Sequence, residues 1–159
     1  MEGFGLQFFQ LSKDKVRPPV ILEVIQLGRE VADKTGIVSV RYGKRMVSTA
    51  FPMPLNKLTE DVFVEVVDYD PVKNTLMFIG EPQPSALLAV HLLLLRVRED
   101  INLIVHLHKV EENTVDPLKR AKEIFSSVKG EGYVFKNKEE SLFFGKGFAD
   151  TVERLKEEM

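Results

Sequence analysis

The chain has no cysteine, which excludes disulfides, thiolate metal ligands and a cysteine nucleophile together. Nothing in it therefore points to an oxidising compartment. It also lacks an excess of either charge: 22 Lys and Arg face 24 Asp and Glu, a formal net charge of −2. A nucleic-acid partner wants clustered positive charge, whereas here basic and acidic residues are interleaved, so no nucleic-acid partner is expected. Long apolar runs are missing too. The longest, Leu87 to Leu95, is interrupted by His91 and falls well short of the roughly 20 residues of a membrane span. Met1 to Gln10 shows no basic stretch followed by an apolar one, so neither a secretory signal nor a membrane partner is expected. The expected location is cytoplasmic.

What remains is ordinary globular chemistry: 159 residues, 44% hydrophobic and 29% charged. That length fits a single domain, 1–159, able to bury a core without metal or disulfide staples. Aromatic Phe8 and Phe9 mark Phe4 to Leu11 as a short strand. After Pro18-Pro19, apolar residues at Ile21, Val24, Ile25, Leu27 and Val31 make Val20 to Lys34 a helix. Strands are expected at Ile37–Arg41, Arg45–Ala50, Val62–Asp68 and Thr75–Ile79. Tyr42-Gly43-Lys44 turns the first pair, and Asp70-Pro71 with Asn74 turns the second. Ser85–Arg98 reads as a helix capped by Ser85, Ile101–His108 as a buried strand, and Pro117–Lys129 as an amphipathic helix stopped by Gly130. Tyr133–Lys136 and Ser141–Phe144 are expected strands, and Phe148–Glu158 a final charged helix. The sum is an α/β domain with about four helices.

Two stretches carry a family resemblance. The first is Gly36-Ile37-Val38-Ser39-Val40-Arg41, leading through Leu58-Thr59-Glu60-Asp61 into the next strand. The second is Pro84-Ser85, His91, then Arg96-Val97-Arg98-Glu99-Asp100-Ile101-Asn102 and Val105-His106-Leu107-His108. In order and spacing they resemble the class II aldolase/adducin family, with its Gly-Asn-x-Ser-x-Arg strand, Arg-x-Arg-x-Asp-x-Asn turn and zinc-binding His-x-His strand. A weaker match sets Lys136-Asn137-Lys138 against the family's Asn-His-Gly segment. The resemblance implies a three-layer α/β/α fold around a mostly antiparallel sheet, and a homo-oligomer. It also implies zinc-dependent aldolase or epimerase chemistry on sugar phosphates, with zinc as Lewis acid. Adducin-type members have lost the metal and serve in assembly.

The departures from that pattern are concentrated at the functional positions. Ile37 stands where the family's asparagine helps hold phosphate, and Phe51-Pro52 replaces its phosphate-binding Ser-Gly pair. Proline lacks even the backbone donor. Ser85 survives from the helix start, but the proton-transfer glutamate aligns with Leu87, which cannot act as a base. His106 and His108 remain. Two apart on a strand, they share a face about 6.6 Å apart along the chain, a span one cation can bridge. A zinc site takes at least three ligands, and the family's third histidine aligns with Lys138, whose ammonium has no lone pair to give. Glu111, Glu112 or Asp116 would be substitute oxygen ligands, though a solvated turn and helix start is the plainer reading of them. Lys138, if the alignment holds, lies within several ångströms of the two histidines and repels a divalent cation.

The metal candidates are thus His106 and His108, for zinc or another divalent metal, and the candidate pocket is Ile37, Phe51, Ser85, Leu87 and Lys138. The favoured reading is a divergent family member without standard sugar-phosphate aldolase activity, acting as an oligomeric binding or interaction domain. The alternative is a metal-dependent lyase or isomerase acting on a small sugar-like substrate through His106 and His108. A third reading reuses the old pocket for an apolar small-molecule ligand, which Ile37, Phe51 and Leu87 suit. Phe4, Leu6, Phe8 and Phe9 are the apolar residues an oligomer is expected to cover.

Overall fold

The computed structural model describes residues 5–31, 34–108 and 116–158. Among the described residues nine strands form one sheet: β1 (Gln7–Ser12), β2 (Thr35–Tyr42), β3 (Arg45–Thr49), β4 (Met53–Pro54), β5 (Phe63–Asp70), β6 (Thr75–Ile79), β7 (Leu103–His108), β8 (Val134–Lys136) and β9 (Glu140–Gly145). Their order is β1-β6-β5-β3-β2-β7-β9-β8, with the short β4 pairing β2. Every pairing is antiparallel except β1 with β6. Four helices of the described residues cover it: α1 (Val20–Glu30), α2 (Leu87–Val97), α3 (Pro117–Ser127) and α4 (Phe148–Glu158). No helix of the described residues is long and apolar enough to cross a membrane.

Two apolar clusters, one on each face, make the three layers. Ile37, Met46, Val64, Phe78, Ile104 and Leu142 meet α2 and the buried Ala121 and Ile124 of α3. On the opposite face Val38, Val47, Leu103, Val105 and Phe143 meet Ile21, Val24 and Leu27 of α1 and Leu155 of α4. The sequence LLAVHLLLLRV explains the position of α2: apolar nearly all round, it is buried between the sheet and α3. The other helices carry one apolar stripe each and expose the rest. In the middle of the sheet, β2 is buried over five successive residues because both of its faces are covered.

Gly36 is required by this packing. A Cβ there would lie 2.2 Å from the His106 carbonyl oxygen on the neighbouring strand, closer than any side chain tolerates. Gly43, at φ +64°, turns β2 into β3. Arg41 fastens the sheet to the end of α2, where carbonyls lack helical partners: its Nη2 donates to the carbonyls of Leu95 (2.6 Å), Arg98 (3.0 Å) and Ile101 (2.7 Å). Arg98 grips both oxygens of Asp100 at 2.8 Å and donates to the Gly132 carbonyl, while Asn102 joins Arg41 to the Lys146 carbonyl. The Arg-x-Arg-x-Asp-x-Asn turn on which the resemblance partly rests is therefore a structural clasp.

Candidate functional site

Strand alternation builds the site. On β7, Ile104, His106 and His108 face α2 and α3, while Leu103, Val105 and Leu107 face the other cluster. His106 lies opposite Ile37 on β2 and Leu142 on β9; His108 lies opposite Glu140. Ser39 and Ser48, paired across β2 and β3, face α2 as well. The one histidine on α2, His91, descends between them. All three of the chain's histidines are thus gathered and buried. Ring centroids are 5.0 Å apart for His91 and His106, and 5.5 Å for His106 and His108.

The polar atoms run in one line. Ser48 Oγ lies 2.8 Å from Ser39 Oγ, which lies 2.7 Å from His91 Nδ1. His91 Nε2 is 2.8 Å from His106 Nδ1, and His106 Nε2 is 2.6 Å from Glu140 Oε1. Glu140 Oε2 accepts from Arg120 Nη2 and, at 3.1 Å, from Asn137 Nδ2. The protons follow from the end of the line. Arg120 is a permanent cation, so Glu140 beside it is a carboxylate and can only accept. His106 therefore donates from Nε2 and, as a neutral ring, accepts at Nδ1 from the Nε2–H of His91. His91 in turn accepts at Nδ1 from the Ser39 hydroxyl.

The electrostatics agree with neutral rings. Burial first, then the electrostatic influence of His108 and Arg120, holds His106 down at about 3. Glu140 pulls the other way, but its charge is already balanced by Arg120. Burial first, then His106, also keeps His91 well below the ordinary histidine range. Each buried polar atom in the line is satisfied, whereas His108 Nδ1 and Arg120 Nε are buried without a partner among the described residues.

The zinc that the resemblance implies does not fit this arrangement. A ligating imidazole must offer a lone pair, and His106 spends its one lone pair on His91 and its one N–H on Glu140. Glu140 is held by Arg120 and Asn137, leaving His108 as the one ring with a nitrogen to spare. Among the described residues no three His, Cys, Asp or Glu side chains are arranged to hold an ion.

The remaining candidates are dispersed. Ile37 and Leu87 are fully buried members of the apolar cluster. Ser85, expected to cap the helix, lies two residues before α2, whose N-cap is Ala86; its Oγ accepts from the Leu87 N–H at 3.1 Å, while Phe51 is 37% exposed on the loop after β3. Lys138 is exposed at the β8–β9 turn, where it lines a hollow of about 300 Å³ with Arg120, Asn137, Glu139 and Glu140. Asp116 caps α3, accepting from the Lys119 N–H; Glu111 and Glu112 lie outside the described residues. A larger hollow of about 560 Å³ is lined by Asp116 and the outer residues of α3, away from the histidines. The residues that sequence reasoning missed are Glu140 and Arg120. Neither stands in a motif: one becomes visible only through the β7–β9 register, the other only through the docking of α3. Ser39 and His91 were missed as well: the resemblance gives His91 only a packing role, although both lie within its two stretches.

The family model for the class II aldolase and adducin N-terminal domain matches residues 26–146. The chain belongs to the class II aldolase/adducin family. Among solved structures, an L-fuculose 1-phosphate aldolase superposes with a TM-score of 0.69 at 16% identity, over 90% of this chain and 82% of that one. YgbL of Escherichia coli, described as a putative aldolase/epimerase/decarboxylase, gives 0.65 at 13% identity, over 87% and 84%. The L-fuculose-1-phosphate aldolase of Thermus thermophilus gives 0.60 at 13%, over 88% and 89%. At these identities the likeness speaks to the fold. No curated protein matches the sequence.

Proposed function

We propose that this chain is a class II aldolase/adducin-family domain that has given up sugar-phosphate cleavage and acts as a binding or interaction domain within a homo-oligomer. The observation that carries this reading is the closure of His106: both ring nitrogens are committed inside the protein, between His91 and Glu140. A Lewis-acid mechanism needs that histidine to hold metal, and Leu87, buried at the start of α2, supplies no base. Ile37, Phe51 and Pro52 offer a phosphate dianion none of the aimed side-chain donors it requires. Support for assembly comes from edge strand β1, where Phe9 is 56% and Leu11 46% exposed on one face. Leu6 and Phe8, by contrast, pack on the core cluster, and Phe4 lies outside the described residues.

The purified protein, supplied with zinc and with fuculose, rhamnulose or ribulose phosphates, is expected to release no aldehyde above background. Light scattering is expected to give a mass at least twice that of the chain. Turnover abolished by His106→Ala would contradict the first expectation, and a clean monomer the second.

A further inference from the structure

We propose that Arg120 is a built-in cation that keeps a divalent metal away from His106, His108 and Glu140, side chains that must turn from their present arrangement to hold one. The inference rests on the reading of this chain as a domain without metal chemistry, and gives that reading its cause. Three observations carry it. The guanidinium of Arg120, only 21% exposed, is bound to a carboxylate that is 3% exposed, so its charge sits inside the protein where solvent screens it weakly. The same carboxylate touches His106 Nε2 at 2.6 Å and sits on the residue directly opposite His108. Two imidazoles and a carboxylate are the ligand types a borderline cation such as zinc or cobalt takes, at bonds of roughly 2 Å.

Without Arg120 to hold Glu140, the hydrogen-bonded line could turn round to serve a metal, giving up one bond, that of His106 Nε2 to Glu140. If Nε2 of His106 gave a lone pair to an ion, its Nδ1 would carry the proton and donate to His91 Nε2. His91 would then donate from Nδ1 to Ser39, Ser39 to Ser48, and Ser48 to the carbonyl of Val38 at 3.1 Å or Thr49 at 2.8 Å. Every step of the reversed line has an acceptor. It would orient the ring as an outer partner orients a metal-bound histidine. What opposes the ion is the charge of Arg120 and its hold on Glu140. Lys138, exposed at the β8–β9 turn, lies outside this contact.

The test compares wild type with Arg120→Gln, Arg120→Met and Arg120→Lys, titrating each with cobalt and with zinc. Binding is read calorimetrically and by the visible absorption of cobalt, and each chain is also refolded from denaturant with and without metal. The Gln and Met variants are expected to bind at least about a hundredfold more tightly than wild type, as removal of a charge a few ångströms from a dication requires. Where either variant is unfolded alone, zinc is expected to restore its fold. The Lys variant keeps the charge and is expected to stay blind to metal. If neither neutral variant gains affinity or metal-dependent folding while wild type binds nothing, the role given to Arg120 is overturned and the proposed function stands. If wild type itself binds zinc stoichiometrically through His106, both are overturned.

Discussion

Acidification from pH 7 to pH 4 is expected to weaken folding by about 3 kcal/mol through His106 alone. The sign follows from the direction of the shift. His106 is held at about 3 in the folded chain against an ordinary 6.5, so between those values the unfolded chain binds the extra proton. Stability is therefore fully present above pH 6.5 and lost as pH falls toward 3. His91, lowered for the same reason, works in the same direction. Asp100, which the Arg98 guanidinium holds well below the carboxylate range, adds its own loss at the acid end. Urea denaturation at closely spaced pH values measures this. His106→Gln is expected to start less stable at pH 7 and to show a flatter pH dependence. Wild-type stability that stays level from pH 7 to pH 4 would show that the rings are not held neutral by burial.

Glu140→Gln is expected to cost about 3–5 kcal/mol, the usual consequence of leaving one member of a buried ion pair without its partner. Here the orphan would be Arg120, with four-fifths of its side chain out of solvent. His106 would at the same time face an amide in place of a carboxylate at 2.6 Å. The double substitution Glu140→Leu with Arg120→Leu removes both charges and is expected to recover most of the loss, as apolar replacements of buried pairs do. Denaturant midpoints for the two single variants and the double variant close the cycle. A Glu140→Gln protein within about 1 kcal/mol of wild type would mean that the pair is solvated and the site open.

Much of the fold was legible from local pattern. Thr75–Ile79 begins and ends where alternation and its turn residues place it, and Phe148–Glu158 likewise. The apolar run of α2 reads correctly as a helix because its length exceeds that of a buried strand. The two-residue β4 escaped, since Met53-Pro54 has neither length nor alternation and pairs only because the chain passes β2. The site was half legible. His106 and His108 share a face, as their spacing requires, and Ser39 and His91 stand in the matched stretches. Glu140 and Arg120 were not legible, because no local periodicity reports which strand lies beside β7 or which helix face meets it. A lysine in the aligned segment drew attention to Lys138, whereas the cation bound into the network comes from a helix read as merely amphipathic. Charge complementarity acts across the fold, and sequence spacing does not encode it.

The central claim is that His106 is closed on both sides by the protein, and ring nitrogen NMR at pH 7 tests it most directly. With the chain labelled with ¹⁵N at histidine, the predicted result is that His91 and His106 are both neutral and carry their proton on Nε2, as the one-way line from Ser39 to Glu140 requires. Added zinc is predicted to leave those signals unmoved. A His106 ring protonated on Nδ1, or one whose Nε2 signal shifts on addition of one equivalent of zinc, would contradict the account and restore His106 as a metal ligand.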